Sequence, residues 1–253
     1  GSPQAARSII LLGPEDSVDP DTDVIKAALA LTSSPAHSGV KYHIVGELTD
    51  PANLDIAHIV GGEEARWIVG PELIGRITVQ TCRQSGLSNI YQELLDFDRN
   101  EIYVTDQPSL VGLTYFDAQL SFDDSTVIGV VRSGGVLINP IGTLVLEVGD
   151  QLIVIAEDDS AIRLGQPHPI TPTGITQRER PAPAPERILV LGENQTLSPM
   201  LIELDQYVAP GSAATIVTRR KPRPLPELVG LTVTAQQGDA TNRRTLEALD
   251  PTA

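Results

Sequence analysis

The chain has 253 residues, enough for one or two domains, and its composition of 41% hydrophobic but only 4% aromatic residues suits aliphatic α/β packing. Its formal net charge of −15 lies in the first two thirds, where residues 1–165 carry 9 Lys and Arg against 24 Asp and Glu, so we expect no nucleic-acid partner. The sequence contains no apolar run near the roughly 18 to 20 residues that span a bilayer, and the single Cys82 excludes an internal disulfide.

Residues 1–100 alternate between short apolar runs and helical patterns. Three apolar runs bounded by turn-forming residues predict buried parallel strands at Ser8–Leu12, Tyr42–Leu48 and Trp67–Val69. Helices are predicted around Val24–Leu29, from Pro51 to Gly61, and over Pro71–Gln84 and Leu87–Leu95, with Gly86 as the C-cap region of the third. We interpret this region as the second half of a Rossmann-like sheet followed by crossover helices.

Residues 101–164 have the pattern of a small α+β lobe. One helix is predicted over Leu113–Leu120, and Gly149-Asp150 predicts a tight turn before the last strand. The predicted strands, which are short β runs separated by Gly, Asn and Pro, are Glu101–Thr105, Val127–Arg132, Val136–Ile138, Leu144–Leu146 and Leu152–Ala156.

The remaining third begins with a linker. Residues 165–186 hold six prolines and no apolar periodicity, which is typical of a semi-stiff, extended segment. Residues 187–253 then repeat the strand and helix alternation, which indicates the first half of a second Rossmann-like lobe. The predicted elements there are the strands Arg187–Leu191, Ala214–Thr218 and Leu231–Gln236 and the helices Ser198–Tyr207 and Asn242–Leu249.

The predicted fold class is therefore α/β, with Rossmann-like doubly wound parallel sheet halves plus a small α+β lobe. A half-sheet of this kind exposes an apolar edge, an arrangement that proteins avoid. Because the first strands of the two halves lie side by side in a complete doubly wound sheet, we expect Ile188–Leu191 to pair with Ile9–Leu12, within one chain or between two.

The second Rossmann-like half has only traces of a nucleotide site. A dinucleotide fingerprint needs three glycines after the first strand, but only Gly192 is present and Glu193 would oppose a phosphate. Asp239 and Thr241 lie in a Gly-Asp-Ala-Thr motif that also occurs near the adenine in nucleotide-binding domains of potassium transport systems. Nucleotide binding is therefore disfavoured, and the basic loop Arg219–Arg223 has two open interpretations, a solvated loop or a phosphate contact.

No catalytic constellation is evident, so we expect a protein that is not an enzyme. The sequence contains no nucleophile elbow and no P-loop, and its four histidines lack metal-ligand spacing. Three consecutive carboxylates, Glu157, Asp158 and Asp159, close the last strand of the α+β lobe. They form either an ordinary solvated turn or part of a calcium site at a subunit or lobe interface, because calcium needs about six to eight oxygen ligands.

The order of these segments resembles the cytosolic domain of Castor/Pollux-family ion channels. The likeness rests on HIVGELTDPANLDIAHIVGG, ELIGRITVQTCRQSGLSNIYQELLDF, LEVGDQLIVIAEDD and GDATNRRTLEAL, and it is most specific between residues 42 and 159. The resemblance implies a cation channel with a ring of RCK-type (TrkA-related) regulatory domains that self-associate as dimers or a tetramer. It also implies calcium as a ligand, a pore domain outside this sequence, and a place on the cytoplasmic face of a membrane.

Two classes of function follow from these observations. The first is a non-enzymatic gating-ring module that senses a ligand, with calcium preferred, and couples its binding to the pore of a potassium or other cation channel. The alternative is a nucleotide-binding regulatory subunit of a potassium transporter, of the NAD or ATP type, or a Rossmann oxidoreductase. Fold alone does not separate these classes.

Overall fold

A computed structural model describes residues 3–34, 41–96, 99–165, 182–221 and 223–249. The described residues form two compact units, one made of residues up to Arg83 together with those from 182 onward, and one made of residues from Gln84 to 165. Most of the predicted linker, residues 166–181, lies outside the described ranges. Within those ranges, every helix is too short or too polar to cross a lipid bilayer.

The first compact unit begins with a parallel three-stranded half-sheet in the order β1-β2-β3, in which Ile9 pairs with Ile44 and Ile44 with Ala65. Ile44 and Leu48 are fully buried against the helices, as expected for alternation along a strand with one covered face. The elements of this half are β1 (Ile9–Leu11), α1 (Pro20–Thr32), β2 (Ile44–Leu48), α2 (Leu54–Gly61, after a 3-10 turn at Pro51–Asn53), β3 (Ala65–Val69) and α3 (Gly70–Arg83).

Carboxylates fix the start of α1. Asp19 caps the helix by accepting a hydrogen bond from the Thr22 backbone N–H at 3.1 Å, and Pro20 occupies the first helical turn. Asp21 is only 2% exposed, and its carboxylate accepts hydrogen bonds from the backbone N–H groups of Thr49 (2.8 Å) and Asp50 (2.9 Å) in the turn after β2. These bonds tie the first crossover helix to the carboxyl end of the neighbouring strand.

The second compact unit contains a four-stranded antiparallel sheet in the order β4-β7-β5-β6. Its core includes Tyr115, Val130 and Val154, all nearly inaccessible to solvent, and α5 begins with a capping box between Thr114 and Asp117. The elements are α4 (Leu87–Leu95), β4 (Glu101–Asp106), α5 (Tyr115–Gln119), β5 (Thr126–Arg132), β6 (Gly135–Ile138) and β7 (Gln151–Ala156).

The first compact unit continues with a second parallel half-sheet in the order β10-β9-β8. Asp205 joins its parts, because the carboxylate accepts hydrogen bonds from the backbone N–H groups of Gly230 and Leu231, both at 2.7 Å. The elements are β8 (Arg187–Leu191), α6 (Leu197–Tyr207), β9 (Ser212–Thr218), β10 (Leu231–Gln237) and α7 (Arg243–Glu247). The predicted α/β class, with two Rossmann-like halves and a small α+β lobe, is confirmed.

The predicted pairing of Ile188–Leu191 with Ile9–Leu12 is wrong within one chain, and its alternative form between two chains stays a prediction. Each of these strands is hydrogen-bonded elsewhere, since β1 pairs with β2 and β8 pairs with β9 in separate sheets. Helix α3 instead packs on α6, where Val79 joins the buried cluster of Leu201 and Leu204. Burying apolar helix surface connects the two halves without any backbone ladder between them.

Two local predictions also need correction. Leu144–Leu146 does not form a regular strand. Its one bridge joins Val145 to Thr114, its backbone exchanges hydrogen bonds with residues 112–115, and Leu146 is buried in the α+β core. The segment is therefore paired with the residues that lead into α5, but over too short a stretch to form a regular ladder. Gly86 directly precedes α4, with a positive φ of 87°, and occupies the N-cap position of that helix rather than a C-cap of α3. Gly149, with φ of 92°, has the predicted turn conformation.

Candidate functional site

The predicted nucleotide-type residues come together at the carboxyl edge of the second half-sheet. Gly192 follows β8 with a positive φ of 103°, and its N–H donates to the Val217 carbonyl of β9 at 2.8 Å. Thr218 and Gln237 are partners in the β9–β10 register, so the residues after both strands emerge side by side. Parallel α/β sheets bind ligands at this edge.

Arg219, Asp239 and Thr241 form one hydrogen-bonded cluster at that edge. Asp239 Oδ1 accepts bonds from Arg219 Nε at 3.0 Å and from the Thr241 hydroxyl at 2.7 Å, and Arg219 Nη2 lies 3.0 Å from Thr241 Oγ1. The Thr241 hydroxyl and backbone N–H, followed by the Arg219 guanidinium, lower the pKa of Asp239 to about 2. The carboxylate is therefore charged and occupied by its own chain.

The loop after Gly192 is closed on itself. The Asn194 side-chain oxygen accepts a hydrogen bond from the Thr196 backbone N–H at 2.9 Å, and the Asn194 carbonyl accepts one from the Leu197 N–H at 3.3 Å. In a dinucleotide site, amide groups at such a loop and helix start would donate to the pyrophosphate. The N–H groups of Thr196 and Leu197 are therefore already hydrogen-bonded within the loop, and the expectation that nucleotide binding is disfavoured stays a prediction.

A cavity of about 320 Å³ opens beside this loop, and we refer to it as the basic cavity. The Glu193 side chain, 9% exposed, lies in its wall with Oε1 at 3.3 Å from Arg223 Nε. Among the described residues, no ion pair involves the side chains of Arg220 or Lys221. The cavity is lined by Gly192, Glu193, Thr218, Arg219, Arg220, Lys221 and Arg223.

The predicted metal residues lie in the second compact unit, in an exposed segment after β7 that we call the acidic turn (Glu157, Asp158 and Asp159). Asp158 caps the 3-10 turn Asp159–Ala161 by accepting a hydrogen bond from the Ser160 backbone N–H at 2.7 Å. Interaction with Ser160 lowers the pKa of Asp158. The capping bond gives the aspartate at this position a structural role of its own.

Strand pairing adds a fourth carboxylate to the acidic turn. Glu101 of β4 is the register partner of Ala156, which immediately precedes Glu157. The pKa of the nearby Tyr103 phenol is raised, first by burial and then by the negative charges of Glu101, Asp158 and Asp159. The alternation along β4 and its position opposite β7 could have indicated Glu101, which sequence reasoning missed.

These carboxylates do not complete a metal site in one chain. Over the described part of the sequence, no group of three or more His, Cys, Asp or Glu side chains is arranged to hold a metal ion. A hard cation such as calcium needs more oxygen ligands than one exposed turn and its neighbour provide. The calcium prediction therefore remains a prediction that requires ligands from outside a single chain.

The fold of the chain is similar to that of a channel gating ring. The human SLO3 gating ring superimposes with a TM-score of 0.64 over 98% of this chain and 55% of that structure, at 13% sequence identity. At this identity the likeness shows the fold alone, and that fold is the α/β arrangement of a gating-ring domain.

The sequence identifies the family more closely. Residues 71–171 match the family described as "Castor and Pollux, part of voltage-gated ion channel", so the chain carries a Castor and Pollux family domain and the resemblance is confirmed. The chain is 31% identical to the "Probable ion channel POLLUX" of Arabidopsis thaliana and 33% identical to the "Probable ion channel CASTOR" of Oryza sativa subsp. japonica, over 96% of its own length in both cases. It spans 31% and 29% of those two relatives, which are named as channels rather than enzymes.

Proposed function

We propose that this chain is the ligand-sensing part of a gating ring in a Castor/Pollux-type cation channel, and that it performs no chemistry. The observation that carries the proposal is the match of residues 71–171 to a family of ion channels, within a chain related to such channels over 96% of its length. The gating-ring fold supports the same conclusion from the structure. Asp239 is held by Arg219 and Thr241 of its own chain, so this carboxylate has a structural role in the cluster.

The proposed assembly is a ring of several copies on the cytoplasmic face of a membrane, coupled to a pore that conducts potassium or another cation. A ring suits a sensor because a ligand that binds two arrangements of the copies with different affinity shifts the equilibrium between them. The same ligand would shift nothing if its affinity for both arrangements were equal.

Calcium is the ligand that we propose for the acidic turn. Glu157, Asp158 and Asp159, with Glu101 on the adjacent strand, place four carboxylates at one edge of the sheet, all of them at least partly exposed. One chain leaves such a site incomplete, so the proposal places the remaining oxygen ligands on a second copy. Calcium binding and self-association are then linked, and each strengthens the other.

Calorimetric titration combined with light scattering tests this proposal. Calcium is expected to release or absorb heat and to increase the mass of the particle, and the variant Asp158→Asn/Asp159→Asn is expected to lose both effects. The matched control is Glu15→Gln/Asp16→Asn, which removes two exposed carboxylates elsewhere and should bind calcium like the parent chain. Heat with NADH but not with calcium would contradict the proposal and favour the nucleotide-binding alternative.

A further inference from the structure

The basic cavity has an excess of positive charge in a chain that is otherwise strongly acidic. Four cationic side chains line it, and two of them are neutralised, Arg219 by Asp239 at 2.9 Å and Arg223 by Glu193 at 3.3 Å. Arg220 and Lys221 have no carboxylate partner within the described ranges. Two positive charges therefore remain for a ligand, although the whole chain has a net charge of −15.

Arg219 is already held in place before any ligand binds. Its Nε and Nη2 donate to Asp239 and Thr241, and its backbone carbonyl accepts a hydrogen bond from Gln237 Nε2 at 3.0 Å. The remaining terminal nitrogen, Nη1, makes no hydrogen bond among the described residues. A guanidinium fixed in this way loses little conformational entropy when it binds an oxyanion.

The shape of the site selects the kind of anion. The amide groups of Thr196 and Leu197 donate within their own loop, and the buried Glu193 carboxylate occupies the wall beside Gly192. A dinucleotide, whose pyrophosphate needs those amides, would find its donors occupied. Arginine and lysine side chains remain, and they bind phosphate oxygens through charge-assisted hydrogen bonds.

We propose that the basic cavity binds a compact, multiply charged phosphate group through Arg219, Arg220 and Lys221, with Arg223 held at its rim by Glu193. Inorganic polyphosphate and the triphosphate of a mononucleotide share this chemistry. The site lies in the first compact unit, so it is separate from the acidic turn in the second, and it does not depend on the proposed calcium response.

The test compares tripolyphosphate, ATP and NADH by calorimetry on the whole chain at low salt. Tripolyphosphate is expected to bind. The dissociation constant of ATP should lie within about threefold of that of tripolyphosphate, because the base adds little, and the dissociation constant of NADH should be at least about tenfold higher. Raising the salt concentration should weaken the binding of tripolyphosphate, because the contacts are ionic. Failure of tripolyphosphate to bind, ATP more than about tenfold tighter than tripolyphosphate, or NADH as the tightest ligand would overturn the proposal.

A pair of double variants locates the site. Arg220→Ala/Lys221→Ala removes the two cations without a partner among the described residues and should weaken tripolyphosphate binding about 25-fold, since each charge-assisted contact contributes about fivefold. Arg243→Ala/Arg244→Ala removes two exposed cations from α7 in the same half and should change the affinity for tripolyphosphate less than about twofold. Circular dichroism confirms that both variants are folded. Equal losses in the two variants would show that general charge, rather than the cavity, binds the anion.

Discussion

The contact between α3 and α6 can be tested at Gly75, a residue of α3 that faces α6. A Cβ atom built at Gly75 would lie 3.2 Å from Pro199 Cβ and 3.4 Å from the Met200 nitrogen, which is tighter than most real contacts. In Gly75→Ala, a gain of about 1 kcal/mol in helix propensity offsets the small shift that Pro199 must make. We therefore expect the free energy of unfolding of this variant to stay within about 0.5 kcal/mol of the parent value.

Gly75→Val should behave differently, because its two methyl groups enter an interface that already has no space for them. Overpacking costs about 1–3 kcal/mol, whereas the propensity gain of valine over glycine is only about 0.4 kcal/mol. The expected net loss is about 2 kcal/mol. Thr78→Val is the matched control, since it places the same side chain on an exposed position of α3.

Urea unfolding followed by circular dichroism measures these differences. The single tryptophan, Trp67, reports separately on the first half-sheet, because it packs against the cluster of Val24 and Leu48. If Gly75→Val unfolds at the same urea concentration as Thr78→Val, the two halves do not depend on the α3–α6 contact and our explanation of how they are joined is wrong.

Two further predictions concern carboxylates with several partners. Asp21→Ala leaves the backbone donors of the turn after β2 without their acceptor and should lower the free energy of unfolding by about 3 kcal/mol, measured with Trp67 fluorescence. Asp23→Ala, at an exposed position in the first turn of α1, loses only the hydrogen bond from Ser17 and should cost under about 1 kcal/mol; similar losses would contradict the role assigned to Asp21. Because the pKa of Asp239 is lowered from 3.8 to about 2, its contribution to stability is present above pH 3.8 and is lost as the pH falls toward 2. Thr241→Val should raise that pKa in a carboxyl NMR titration, and an unchanged value would show that the hydroxyl bond is not formed.

Local structure was largely predictable from the sequence, whereas the partners of each element were not. The bounds of Leu87–Leu95 and Arg187–Leu191 agree with the observed α4 and β8, because periodicity and turn residues act over a few neighbouring positions. The strand predicted at Leu144–Leu146 is not a regular one, since the segment bonds to residues 112–115 but forms only one bridge, and a run of three residues does not show how far its pairing extends. The α3–α6 contact joins residues more than a hundred positions apart and leaves no local signal in the sequence.

The candidate sites show the same division. Gly192 and Asp239 were identified from short motifs, but their position beside Arg219 follows from the register of β9 and β10, which places Thr218 opposite Gln237. The basic loop was visible as a charge run, yet the cavity and the two unpaired cations became apparent only when their neighbours were known. The position of Glu101 beside the acidic turn likewise follows from the pairing of β4 with β7.

In the proposed function, ligand binding changes the arrangement of the protein rather than a bond in a substrate. Hydrogen exchange with and without calcium tests it most directly, because exchange reports opening at each amide. With calcium we expect slower exchange both at residues 157–161 and at α3 and α6 in the other compact unit. Exchange that is unchanged by calcium, or slowed only at the acidic turn, would contradict it.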